Sequence, residues 1–174
     1  MDARRAGARA LVAGAVVAAL LPGAARADTG SIDDPVGDAT SVDITHVRVA
    51  HRNAVKVSVR SAVPLAAGQV YGFWIDTGRG PRPTYAVKFR ANSDFSGRLA
   101  IVESFGQRPA RFVSCPGMRA HADMFDGRPV SLRVPRACLG EPTRVRVAVR
   151  FADEIGGSAD WAPDRRTFGP WVSQ

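Results

Sequence analysis

Alternation with a period of two recurs along this chain from residue 44 to residue 151, and it restricts the chain to β-sheet. Val47, Val49 and His51 share one strand face, and Ile44, His46, Arg48 and Ala50 share the other. After a short turn at Arg52-Asn53, Val55, Val57 and Val59 alternate with Lys56, Ser58 and Arg60. Successive side chains of a strand leave on opposite faces, so two such runs joined by a turn predict a hairpin. The pattern returns at Tyr71, Phe73 and Ile75, at Tyr85, Val87 and Phe89, at Val130, Leu132 and Val134, and at Val145, Val147, Val149 and Phe151. Leu99 to Phe105, Arg111 to Ser114 and Phe168 to Val172 predict further short strands. Residues 28–43, 64–68, 77–83, 92–97 and 156–163 are rich in Gly, Pro, Asp and Asn and predict loops or turns. Pro135 to Gly140 predicts a single helical turn.

Each predicted strand has one β-branched or aromatic face and one polar, often Arg-bearing face. The economical solution is two antiparallel sheets with their apolar faces together. The expected fold class is all-β, a two-sheet antiparallel β-sandwich of jelly-roll or immunoglobulin-like type.

The first 27 residues break this pattern. Arg4, Arg5 and Arg9 precede an apolar run from Ala10 to Leu21, then Pro22-Gly23 and Ala25-Arg26-Ala27. A basic start, a short apolar stretch and a small-x-small end predict a secretory signal peptide over 1–27, a helix cleaved after Ala27. The apolar run falls short of the roughly 20 residues that span a bilayer, so no stable membrane span is expected after cleavage. Sec and twin-arginine export both stay open. The remainder, 28–174, is expected to form a single domain in an extracellular, bacterial setting, and a monomer is expected.

Two cysteines, Cys115 and Cys138, remain in that domain. In an exported chain an even pair without metal-ligand spacing predicts a disulfide. Charge also changes with the leader. The formal charge of +8 becomes +5, because four of the 24 basic residues and one of the 16 acids precede residue 28. Lys56 and Lys88 are the sole lysines, a bias toward Arg that fits GC-rich codon usage. The high pI is therefore a poor argument for nucleic acid, and none is expected as a partner.

Three groups of residues are candidates for a site. Asp34, Asp38 and Asp43, in a lead-in that also holds Asp28 and Asp33, could offer oxygens to a hard cation such as calcium if Asp160 or Asp164 comes near. The competing reading is that these acids cap turns. Trp74, Trp161 and Trp171 could present ring faces to a sugar, or pack in the fold. Arg48, Lys56, Arg60, Arg133, Arg144, Arg146 and Arg150 fall on outward positions, as a basic surface or as ordinary solvated faces. No Gly-x-Ser-x-Gly, His-Glu-x-x-His or phosphate loop is present, and His46, His51 and His121 are scattered, so no catalytic residues are expected.

The segment Asp34-Pro35-Val36-Gly37-Asp38-Ala39, then Asp43-Ile44-Thr45, then Phe73-Trp74-Ile75-Asp76-Thr77, resembles the opening of DOMON-like and family-nine-carbohydrate-module-like sandwiches. Val134 to Gly140 and Asp160-Trp161-Ala162-Pro163-Asp164 are similar to segments of small secreted actinobacterial proteins. The resemblance implies a β-sandwich and, in some relatives, sugar, calcium or haem binding. A Trp pair forming a sugar clamp and axial haem ligands are not matched. On these grounds the expected function is a secreted, non-catalytic binding or surface module for extracellular carbohydrate or cell-wall polymer. Its expected ligand residues are Trp161, Trp74 and Asp76, and its expected metal residues are Asp34, Asp38, Asp43 and Asp160. The alternatives are a calcium-stabilised structural envelope protein without a small ligand and, behind it, a hydrolase.

Overall fold

The computed structural model describes residues 29–78, 84–92, 97–105 and 108–174. The expected signal peptide, 1–27, lies outside them, as do residues 79–83 and 93–96 of two expected loops. Among the described residues no helix is long and apolar enough to cross a membrane.

The strands form two antiparallel sheets. The first has the order β1 (Thr29–Asp33), β2 (Ile44–His51), β3 (Ala54–Ser61), β9 (Val130–Pro135), β8 (Arg119–His121). The second has the order β11 (Ala159–Ala162), β10 (Arg144–Asp153), β4 (Gln69–Asp76), β5 (Thr84–Arg90), β6 (Leu99–Val102), β7 (Arg111–Val113). A short β12 (Val172–Ser173) pairs with the start of β10, along the edge that β11 occupies further on.

The valine faces meet as the alternation requires. Val47, Val49, Val55, Val57, Val59, Val130, Leu132 and Val134 of the first sheet share one buried core with Tyr71, Phe73, Val87, Val145, Val147, Val149 and Phe151 of the second. Tyr71 packs edge-on against Phe151 at 4.6 Å, and Phe73 stacks on Phe89 at 5.6 Å. The Tyr71 hydroxyl donates to Gln69 Oε1 at 2.7 Å. Gln69 in turn donates to the Ser41 carbonyl at 3.1 Å, which fastens the loop before β2 to the second sheet.

Four readings of the sequence need correction. Residues 28–43 are not all turn: Thr29–Asp33 forms an edge strand in full register with β2. Only Ile32 in it is large and apolar, so its stability comes from backbone pairing, which the hydrophobic pattern does not reveal. Likewise 159–162, expected as loop, is a strand against β10. Ile44 does not share the face of Arg48, because a bulge between Ile44 and His46 shifts the register and buries Ile44. Finally, the outer face of the second sheet is not simply polar. Trp74, Ala86, Ala100, Val102 and Ala148 are buried there, and Phe105, Trp161 and Phe168 pack against the cluster.

Cys115 and Cys138 are disulfide-bonded, joining the turn after β7 to the 3-10 turn Arg136–Leu139. Closing this loop restricts the unfolded chain. The Cys115→Ser/Cys138→Ser variant is expected to lose about 3 kcal/mol in urea denaturation.

His51 ends β2 inside the core, where its Nδ1 lies 3.3 Å from the Val172 carbonyl oxygen. Burial, foremost, and the Arg136 charge hold its pKa below 6.5, against an opposing pull from the Val172 carbonyl. The unfolded chain therefore binds the proton first as the medium is acidified. The His51 contribution to stability is complete above pH 6.5 and falls away as the pH drops toward the folded value. The thermal midpoint should decline more steeply below pH 6.5 in the native protein than in His51→Gln.

Candidate metal centre

Two carboxylates occupy strand positions where this sandwich elsewhere places apolar side chains. Gly30, Ile32 and Asp34 are successive core-side positions, because the β1 ladder runs one residue past its end, with the Asp34 N–H donating to the Thr45 carbonyl at 3.2 Å. Asp160 lies opposite the core residue Phe151 on β11. Both are buried, at 7% and 5% exposure. A buried ionised group costs several kcal/mol unless partners compensate for the lost water.

Asp160 is compensated in part. Its Oδ2 accepts the Ile44 N–H at 2.5 Å and its Oδ1 accepts the Trp161 N–H at 2.6 Å. The first of these bonds ties the second sheet to the first. Asp34 is not compensated: neither carboxylate oxygen has a hydrogen-bond partner among the described residues. Asp34, Asp38 and Asp160 each place a carboxylate oxygen within 4.8 Å of the other two. Asp43 stands beside this triad, with Oδ2 accepting the Gly37 N–H at 2.9 Å and Oδ1 buried without a partner. Gly37 has a φ of 91°, which lets the loop turn back on Asp43.

The electrostatics follow from this crowding. Burial, then the charges of Asp160, Asp38, Asp164 and Asp43, push the Asp34 carboxyl up to about 7. Burial, foremost, also raises Asp160, against the two N–H donors that hold it down. A cation placed among these oxygens would reverse the repulsion. The set is all oxygen, with no imidazole or thiolate, which suits a hard ion.

No family model matches this chain, and no curated protein or solved structure does. The site therefore has to be read from its own geometry.

The other candidate residues lie elsewhere. Trp74 is 2% exposed, stacked against Trp161 at 5.0 Å and packed against Phe105 at 5.6 Å. Trp161 is an outward strand residue, half-buried, with the Arg150 guanidinium 5.9 Å from its ring centre. Trp171 lies under Arg144 and Arg146. Asp76 Oδ2 accepts from Arg146 at 2.8 Å and its Oδ1 caps the Gly78 N–H. The outward cations are divided: Arg48, Lys56, Arg60 and Arg133 belong to the first sheet, Arg144, Arg146 and Arg150 to the second. His46 pairs with Asp33, His121 with Asp126, and His51 is in the core.

Proposed function

We propose that this chain is a secreted, non-catalytic β-sandwich module whose corner between β1, β2 and β11 is closed by a calcium ion. Asp34, Asp38 and Asp160 supply the first oxygens, and Asp43 and Asp164 add negative charge nearby. One observation carries the reading: Asp34 is 7% exposed, faces two other carboxylates, and has no hydrogen-bond partner on either oxygen among the described residues. Such an arrangement is unfavourable in the absence of a cation and favourable with one. Calcium accepts six to eight oxygens in flexible geometry, which suits ligands drawn from a loop and two separate strands.

Export fits this reading, because the signal-like residues 1–27 and the disulfide both suit an oxidising, calcium-containing exterior. The ion would hold the acidic loop against β11, so its role is to stabilise the module. A sugar platform has less support. Trp74 has little surface to offer, and Asp76 is committed to Arg146 and the Gly78 N–H.

Thermal melting in excess calcium against excess chelator tests the proposal. A ligand bound by the folded state alone stabilises it by about 2.7 kcal/mol at a hundred times its Kd. A clear rise in midpoint with calcium is expected, and equal midpoints in the two conditions overturn the reading.

A further inference from the structure

The outer face of the second sheet holds a second apolar layer, and an open groove runs beside it. The strand registers align Ala148, Trp74, Ala86, Ala100 and Phe112 in one row across five strands. Two alanines thus sit between two aromatic residues. Neighbouring strands are about 4.8 Å apart, so Trp74 and Phe112, three strands apart, stand roughly 14 Å from each other. The alanines leave a trough between them. Phe105, Trp161 and Phe168 pack against this layer, Phe105 and Trp161 directly on Trp74. The side toward Phe112 is an open groove of about 510 Å³, lined by Val70, Trp74, Ala86, Ala100, Val102 and Phe112 among others. That volume falls within the roughly 300–1,000 Å³ of small-molecule sites.

The groove is polarised along the strands. Val102 lies two residues beyond Ala100 at one end. Lys88 and Arg98 lie two residues from Ala86 and Ala100 at the other, with Arg90 further on. From the Val102 row to the Lys88 row is four residues of strand, about 13 Å. Glu154 lines the same end but is paired with Arg90. Lys88 and Arg98 are exposed and have no ion pair among the described residues; they lie over Trp74 at 5.6 Å and over Phe112 at 3.9 Å. An apolar floor with two uncompensated cations at one end has a definite complement. The two cations favour an anionic head over a neutral one, and the Ala and Val floor favours an apolar body.

We propose that this groove binds a small amphipathic carboxylate, with its apolar chain along Ala86, Ala100 and Val102 and its carboxylate between Lys88 and Arg98. The site is on the opposite face of the sheet from Asp34 and Asp160, and its occupancy does not depend on the ion.

Calorimetric titration with decanoate, below its micelle concentration and in excess calcium, tests the assignment. Saturable binding of one decanoate per chain is expected, with decanol and decyltrimethylammonium at least about tenfold weaker. Lys88→Ala and Arg98→Ala change exposed residues and leave the fold intact; each should weaken decanoate about tenfold and leave decanol unchanged. Ala100→Leu fills the trough and should abolish binding of both; if it fails to fold, the two cation variants carry the test. Absence of saturable binding, equal affinity for decanoate and decanol, or insensitivity to both cation variants overturns the proposal.

Discussion

Asp34→Asn is expected to stabilise the protein in chelator and to remove its response to calcium. The native carboxylate is buried beside Asp38 and Asp160 with no hydrogen bond to either oxygen among the described residues. The amide keeps its shape, carries no charge, and can donate to the neighbouring carboxylates. Removing an uncompensated buried charge should raise stability in chelator by about 2 kcal/mol, within the range seen when buried ions are replaced. In calcium the order reverses, since the native site gains the ion and the variant gains little. The measurement is a pair of melting curves for each protein. A calcium response equal to that of the native chain would eliminate Asp34 as a ligand. A loss of stability in both conditions would show that the carboxylate is held by something other than a metal. Sites that sacrifice stability until their ligand arrives are a common form of the conflict between function and stability.

Phe151→Ala should be among the most damaging single changes in the core, lowering stability by about 3–5 kcal/mol in urea denaturation. Phe151 is 1% exposed, packs edge-on against Tyr71, and lies opposite Asp160 on the adjoining strand. Its loss leaves a cavity between the sheets beside the strand that carries Asp160. Calcium stabilisation should therefore shrink as well. The neighbouring outward change Arg150→Ala should cost only about 0.5 kcal/mol, because it removes a half-buried cation over Trp161 and no core atoms. Comparable losses at the two positions would contradict the placement of one inward and the other outward.

The long strands were legible because their inner faces are runs of valine and aromatic residues. Val55, Val57 and Val59, or Val145, Val147 and Val149, leave no choice of face. The edges were not legible for the same reason. Thr29–Asp33 and Ala159–Ala162 are held by backbone pairing with a neighbour, and their inward positions are Gly30, Ile32, Asp160 and Ala162, which carry almost no hydrophobic periodicity. Without those two strands, the inward direction of Asp34 and Asp160 could not be read. The abundance of Asp in the lead-in was visible, but it speaks equally for turns, and Asp43 and Asp153 do accept loop N–H groups in that way. The alanine trough was hidden because Ala86 and Ala100 belong to different strands. Only the register β5–β6 brings them together, and composition holds no trace of register.

The meeting of β1 with β12 has a consequence for how the chain must be made. Val172 fills the space above Gly30, where a Cβ would lie 2.6 Å from its Cγ2, and its carbonyl lies beside His51. A chain emerging from its N-terminal end exposes Ile32 and the first sheet's apolar face long before Val172 exists. Contacts so distant in sequence form slowly and late. The acidic corner is completed by Asp160, whose bond to the Ile44 N–H likewise spans 116 residues. Both edges of the sandwich are thus closed by contacts between distant parts of the chain, which local structure alone cannot form.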